Sequence, residues 1–314
     1  MILVTGGTGF VGQTLIRQLV TLGKPVRILL RPSATSPNLP KGIPVEVAVC
    51  SLRDERGLRA ALKGVDTVYH LAGSERMGTK ADLTGVDVEG SAAIVDAATQ
   101  SGVERFFYMS HLGADRSSAY PVLKAKALAE SSIIRSGINY TIFRSAVLFG
   151  RGDQFTTSLV RLIRNLPLIF LMPGDGQAMI QPLWVEDLAT CMILAIDDPK
   201  TENQVLEVGG CETLSFRQVV EVLMATINVK RSIINVMPAY LRMFGLYIES
   251  TSRTLPISLY WLDYLASDRT CALDVLPRKF GLMPARFHQE LGYLASLPQN
   301  RSADRARRPV RQKR

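Results

Sequence analysis

Residues 1–12 read MILVTGGTGFVG, and this stretch decides the fold. Residues 2–4 form a short apolar run of the kind that makes a buried strand. Residues 5–12 then spell G-x-x-G-x-x-G on Gly6, Gly9 and Gly12. The next stretch, QTLIRQLVTLG (13–23), puts Leu15, Leu19 and Leu22 on one helical face, and Gly23 stops it. A second strand follows at 25–30. Strand, glycine turn, helix and strand together make the glycine motif meaningful: glycines let the backbone approach a pyrophosphate, and the helix N-terminus offers N–H groups and positive potential. Gly6, Thr8, Gly9, Phe10, Val11 and Gly12 are the expected dinucleotide contacts. The competing reading is a domain of this shape that has lost its ligand.

The second strand ends LLRPS. An NAD site usually places an acid there to hold the ribose hydroxyls. This chain has Arg31, with Ser33 nearby. A guanidinium grips a 2′-phosphate with two hydrogen bonds. NADP(H) is therefore expected over NAD(H), which remains the second candidate, and a plain surface arginine is the alternative.

The pattern continues outward as strands at 45–49, 66–70, 105–109 and 140–143, with helices at 54–62, 87–100 and 121–135. Ser117 or Ser118 is expected to cap the last helix, with Pro121 in its first turn. Regular alternation implies an α/β fold, a Rossmann-type doubly wound parallel sheet. Beyond residue 150 the alternation loosens. Helices are expected at 153–166 and 216–227, a strand at 204–208, and a strand then a helix within GDGQAMIQPLWVEDLA, capped near Glu186 or Asp187. The division read from this is a nucleotide-binding core (1–150), a smaller, mostly helical C-terminal lobe (151–298) and a basic disordered tail (299–314).

Composition bounds the rest. The chain has 314 residues, is 47% hydrophobic and carries a net charge of +9. Residues 301–314 hold seven basic and one acidic residue, which is +6 of that total. Such a tail is read as solvated, with anionic lipid or nucleic acid as alternative contacts; no specific nucleic-acid binding is expected. Cys50, Cys191, Cys211 and Cys271 are scattered and read as reduced thiols, neither disulfides nor a zinc site. No apolar run approaches the roughly 18 residues of a membrane span. The opening strand leaves no room for a signal peptide. The expected location is cytoplasmic, with peripheral contact at a membrane as the variant.

TGGTGFVG, HLAG (70–73), FFYMSHLGA, TIFRSAVLFGRGD and QPLWVEDLA together resemble the short-chain dehydrogenase/reductase superfamily. Within it the chain is most similar to atypical members: NmrA-like proteins, chloroplast Ycf39-type proteins and the dinucleotide-binding accessory subunit of respiratory complex I. The resemblance spans roughly residues 1–295 and implies further cofactor contacts from Ser51, Leu52, Leu71, Ala72 and Gly73. Relatives often carry Gly-Asp where Cys50 and Ser51 stand, so adenine would keep one hydrogen bond.

Orthodox members use a tyrosine to exchange the substrate proton, and a lysine one helical turn on lowers its pKa and holds the nicotinamide ribose. A phenol near pKa 10 needs such a cation to act near neutrality. The resemblance offers two registers within AYPVLKAKALAE (119–130). Lys126, preceded by Pro121 and followed by Glu130 and the TIFR strand, fits the family spacing but leaves Val122 at the tyrosine position. Tyr120 with Lys124 spells Y-x-x-x-K but faces about 160° away. Lys126 is the preferred lysine. Lys126, Ser110, His111 and Tyr120 are the candidate catalytic residues, and a structural role is the competing reading for His111. His70 and His288 have no chemical partners in the sequence.

The segment 237–269 is rich in aromatics: Tyr240, Phe244, Tyr247, Tyr260, Trp261 and Tyr264. Ile257, Trp261 and Tyr264 share helical spacing. A small packed subdomain, a hydrophobic pocket and a surface for a membrane or partner all remain open. Two functions follow. One is an NADP(H)-binding protein with weak or no turnover, in an accessory, assembly or sensor role at a membrane-bound electron-transfer complex. The other is an NADPH-dependent oxidoreductase or isomerase acting on a small hydrophobic carbonyl or quinone-like substrate.

Overall fold

The structure is a computed structural model that describes residues 1–33, 42–75, 77, 81–166, 168–243 and 259–297. Phe244, Tyr247, Ile257, the Tyr260 side chain and the basic tail lie outside the described residues.

The chain builds β1 (Ile2–Thr5), α1 (Phe10–Thr21), β2 (Val26–Leu30), β3 (Glu46–Val49), α2 (Glu55–Ala61) and β4 (Thr67–His70). Next come α3 (Gly90–Gln100), β5 (Arg105–His111), α4 (Pro121–Arg135) and β6 (Tyr140–Ser145). The later elements are β7 (Leu148–Phe149), α5 (Phe155–Asn165), β8 (Ile169–Pro173), β9 (Met179–Ile180), β10 (Leu183–Trp184), α6 (Val185–Leu194) and β11 (Gln204–Val208). They are followed by β12 (Leu214–Ser215), α7 (Phe216–Thr226), β13 (Ser232–Val236), α8 (Leu259–Tyr264) and α9 (Val275–Phe280).

Seven strands form one sheet in the order β11-β6-β5-β4-β1-β2-β3, with every pairing parallel. This is the doubly wound fold expected from the sequence. Central strands of such a sheet are covered on both faces, which is why the middle of β5, Phe106 to Met109, carries large apolar or aromatic side chains without alternation. Side chains alternate between two cores. Tyr69, Phe107 and Phe143 pack with Leu15, Ile16 and Leu19 of α1 and with Leu188 and Met192 of α6. Val68, Phe106, Tyr108 and Ile142 pack with Leu58 of α2, Ile94 of α3 and Ile133 of α4.

The second half is not helix alone. β7 pairs with β10, β9 with β12 and β8 with β13, three small ladders missed by the sequence reading except for a strand near β9. A third core joins Phe155, Phe216, Tyr264 and Phe287. Two caps differ from expectation. The α4 N-cap is Tyr120, without a side-chain cap bond. Ser118 Oγ instead accepts from the Tyr120 N–H, and Ser117 turns to Asp115. Trp184 is the α6 N-cap, so Glu186 and Asp187 lie in its first turn. The expected helix at 87–100 is preceded by a π-helical stretch, Leu83–Glu89, and becomes regular only at Gly90.

Candidate functional site

The glycine turn sits where β1 adjoins β4, at the point where strand order reverses. Gly6 has φ +69°, and a Cβ there would fall 2.7 Å from the Leu71 carbonyl carbon and 2.8 Å from the Ala72 nitrogen. A Cβ on Gly12 would lie 2.4 Å from the Gly6 oxygen. The Gly9 N–H closes the turn onto the Gly6 carbonyl at 2.9 Å, and Gly9 is the N-cap of α1. Backbone thus packs on backbone without side chains, leaving a cradle at a helix N-terminus of the kind that receives a pyrophosphate. Thr8 joins this turn by its carbonyl, which accepts from Gln13 Nε2. Phe10 is buried at the start of α1, and Val11 packs against the core. Arg31 and Ser33 are exposed beyond β2, while Ser51 and Leu52 are half-buried beyond β3. Ser51 Oγ accepts from the Arg53 N–H at 3.2 Å. Leu71 and Ala72 are half-buried and Gly73 is exposed.

Lys126 and Lys124 differ sharply. Lys124 is exposed, whereas Lys126 is only 3% exposed. Its Nζ donates to the Met109 carbonyl at 3.4 Å. It lies 3.8 Å from Glu75 Oε2, 3.5 Å from Asp87 Oδ1 and 5.4 Å from the centre of the Tyr108 ring. Asp87 Oδ2 is held by the Ser74 N–H and hydroxyl. His111 Nε2 is 3.7 Å from the other Glu75 oxygen. Burial pushes the Glu75 carboxyl up, but the Lys126 charge and then His111 outweigh it and hold it well below the usual range. Tyr108 is fully buried, and burial pushes its phenol up to about 12.

Strand alternation separates the two candidates at the end of β5. Ser110 is paired with Arg144 and His111 with Ser145 in the parallel register. Ser110 Oγ is wholly buried and donates to Glu130 Oε1 at 2.5 Å. Arg144 grips Glu130 with two bonds, 3.0 Å and 2.6 Å. Ser110 therefore belongs to a brace between β5, β6 and α4. His111 and Ser145 face a cavity that Phe10, Glu75, Phe155 and Trp261 also line. Tyr120 lines a different hollow, with Asp115, Ser118 and Arg269. The structure thus brings Lys126, His111 and Phe10 towards one site and places Ser110 and Tyr120 elsewhere.

Three contributors were absent from the sequence reading: Glu75, Asp87 and Ser145. Glu75 follows HLAG and Ser74, and a charged residue emerging just past a buried strand end was the available signal. His70 has partners that the sequence hides. Nδ1 is 2.7 Å from Thr5 Oγ1, and Nε2 is 2.9 Å from Ser91 Oγ. Ser91 donates its own proton to the Asp87 carbonyl, which assigns the imidazole proton to Nε2 and leaves Nδ1 to accept from Thr5.

The NmrA-like family model matches residues 1–250. An NAD(P)H azoreductase of Xenophilus azovorans is 28% identical over 297 residues, covering 92% of this chain and 96% of the relative. NADH dehydrogenase (ubiquinone) 1 alpha subcomplex subunit 9, mitochondrial, of Arabidopsis thaliana is 28% identical over 233 residues. That match covers 70% of this chain and 56% of the subunit's length. Among solved structures, UDP-glucose 4-epimerase of Thermus thermophilus, in complex with NAD, aligns with TM-score 0.69 at 20% identity, covering 94% of this chain and 97% of that one. At that identity the likeness establishes the fold alone.

Proposed function

This chain belongs to the NmrA-like family of NAD(P)-binding short-chain dehydrogenase/reductase proteins, and on that premise we propose that it binds NADP(H) with weak or no classical redox turnover, in an accessory, assembly or sensor role. One observation carries this reading: the helical turn before Lys126 presents Val122, and the Lys126 ammonium is engaged by Glu75, Asp87 and the Met109 carbonyl. Tyr108 lies beneath Lys126 but is wholly buried, so its phenol does not reach a substrate. Arg31 at the end of β2 supports the 2′-phosphate, and the glycine cradle supports the pyrophosphate. Lys126 would hold the nicotinamide ribose, and the likeness to a respiratory-complex subunit supports an accessory role at such a complex.

A second reading has its own support. His111 and Glu75 line a cavity with aromatic walls, and the azoreductase likeness runs nearly end to end. In that reading the reduced cofactor would supply hydride to a hydrophobic acceptor, and His111 would hand on the proton. The test is titration with NADP⁺, NADPH, NAD⁺ and NADH, followed by NADPH oxidation against quinones, aldehydes and azo dyes. Tight NADP(H) binding without turnover supports the first reading. Turnover lost in Lys126→Ala and His111→Ala supports the second. Equal affinity for NAD(H) and NADP(H) removes the Arg31 assignment.

A further inference from the structure

The cavity at the ends of β5 and β6 holds about 620 Å³ of space free of atoms, its mouth included. Its walls are Phe10, Phe155, Trp261 and Tyr264. Phe155 and Trp261 lie 4.9 Å apart between ring centres, and Trp261 meets Tyr264 edge-on at 5.7 Å. Two polar groups on the lining are buried with hydrogen-bonding capacity to spare: Glu75 Oε2 and Ser145 Oγ have no hydrogen-bond partner among the described residues. The Lys126 contact at 3.8 Å does not fill the first vacancy, being too long for a hydrogen bond. Asp153, the other carboxylate on the lining, is fully used by Gly150, Thr156, Thr157 and Tyr293.

We propose that this cavity binds a flat aromatic molecule carrying a hydrogen-bond donor, a phenolic hydroxyl or an aryl amine, with the donor placed on the Glu75 carboxylate. The chemistry follows from the two vacant groups. An ionised carboxylate accepts and does not donate. A ligand offering only carbonyl oxygens there would set lone pairs against a buried negative charge. A donor makes a charge-assisted bond, about twice as strong as a neutral one. Ser145 either donates or accepts, so it tolerates whatever polar atom lies beside it. The aromatic walls take the ring faces and disfavour a polyhydroxylated sugar. The proposal deepens the nucleotide reading above by naming the ligand class beside the nicotinamide end.

The experiment uses the full chain loaded with NADP⁺, with binding read by calorimetry and tryptophan fluorescence. The probes are 2-naphthol, 2-naphthylamine, naphthalene and 1,4-naphthoquinone. The naphthol and the amine should bind about tenfold or more tighter than naphthalene and the quinone. Glu75→Gln should erase that preference while naphthalene affinity stays unchanged, and Ser145→Ala should weaken the naphthol more mildly. Equal affinity of naphthalene and naphthol overturns the proposal, as does an unchanged preference in Glu75→Gln. If 2-naphthol binds only nucleotide-free protein and NADP⁺ expels it, the vacant groups serve the nicotinamide carboxamide and the proposal fails, while the nucleotide reading stands. If NADP⁺ does not bind but the naphthol preference and its loss in Glu75→Gln are seen, the cavity assignment stands and the nucleotide reading fails.

Discussion

Lys126 Nζ lies 3.8 Å from Glu75 Oε2, and a second carboxylate, Asp87, stands 3.5 Å away on the same ammonium. One cation thus neutralises charge from the loop after β4 and from the stretch leading into α3. Lys126→Met would leave both acids without their cation. Removing one partner of a buried pair costs about 3–5 kcal/mol. Chemical denaturation at pH 7 should read a loss of that order. The deficit should shrink as the pH falls, because Glu75 without its cation is pushed up by burial and takes a proton more readily.

Glu75 itself ties stability to acid pH. Its folded pKa lies below the ordinary 4.5, so its contribution is present above that value and is lost as pH falls through the folded pKa. Glu75→Gln should therefore flatten the stability profile below about pH 4.5. An unchanged acid limb would mean that the Lys126 contact does not hold Glu75 ionised.

Ser110 separates a catalytic from a bracing role. Its hydroxyl donates to Glu130, which Arg144 also grips. Ser110→Ala should cost about 1–2 kcal/mol and leave nucleotide and ligand affinities unchanged. Glu130→Ala should cost about 3 kcal/mol, since Arg144 loses both of its hydrogen bonds to Glu130 and keeps the more distant Glu207 carboxylate at 3.8 Å. A Ser110→Ala variant of normal stability but altered ligand affinity would return Ser110 to the site.

The glycine turn and the sheet order were legible in the sequence because each rests on local rules: glycine spacing, apolar runs and helical periodicity. Helix 121–135 and strand 204–208 match to the residue. That Lys124 and Lys126 face different ways was legible from helix geometry, and the structure buries Lys126 and exposes Lys124. The choice of Lys126 itself came from the family's spacing, not from geometry. What escaped depends on partners distant in sequence. Glu75 meets His111 from another strand end, and Ser145 becomes a cavity residue only through its register with His111. The π-helical stretch that brings in Asp87 is invisible to a 3.6-residue period. The ladders β7·β10 and β9·β12 are two residues long, too short for an alternating pattern to register.

Gly12 tests the cradle. Its missing Cβ would meet the Gly6 oxygen at 2.4 Å and the Gly7 Cα at 2.7 Å, both backbone atoms that cannot swing aside. Gly12→Ala should weaken NADP⁺ binding about tenfold or more and lower stability by about 1–3 kcal/mol. Gly23, where nothing lies within 4 Å of an added Cβ, is the control: alanine there should cost stability through its φ of +72° but leave nucleotide affinity unchanged.

His70 gives the sharpest pH test. It is fully buried, and burial, reinforced by the nearby Lys126 charge, pulls its pKa down from 6.5 to about 3. The unfolded chain therefore binds a proton below about pH 6.5 that the folded chain refuses, so stability rises with pH across that window. Lowering the pH from 7 to 5 should remove about 2 kcal/mol through this residue alone, at about 1.36 kcal/mol for each pH unit below 6.5. Glu75 does not interfere, because its window opens only below 4.5. His70→Gln keeps an amide donor for Ser91 and has no proton to gain. It should be less stable than the parent at pH 7, since Thr5 loses its acceptor, yet its profile between pH 7 and 5 should be flatter by that amount. Equal slopes in the two proteins would mean that the folded imidazole takes up a proton as readily as the unfolded one, so that burial does not hold it neutral.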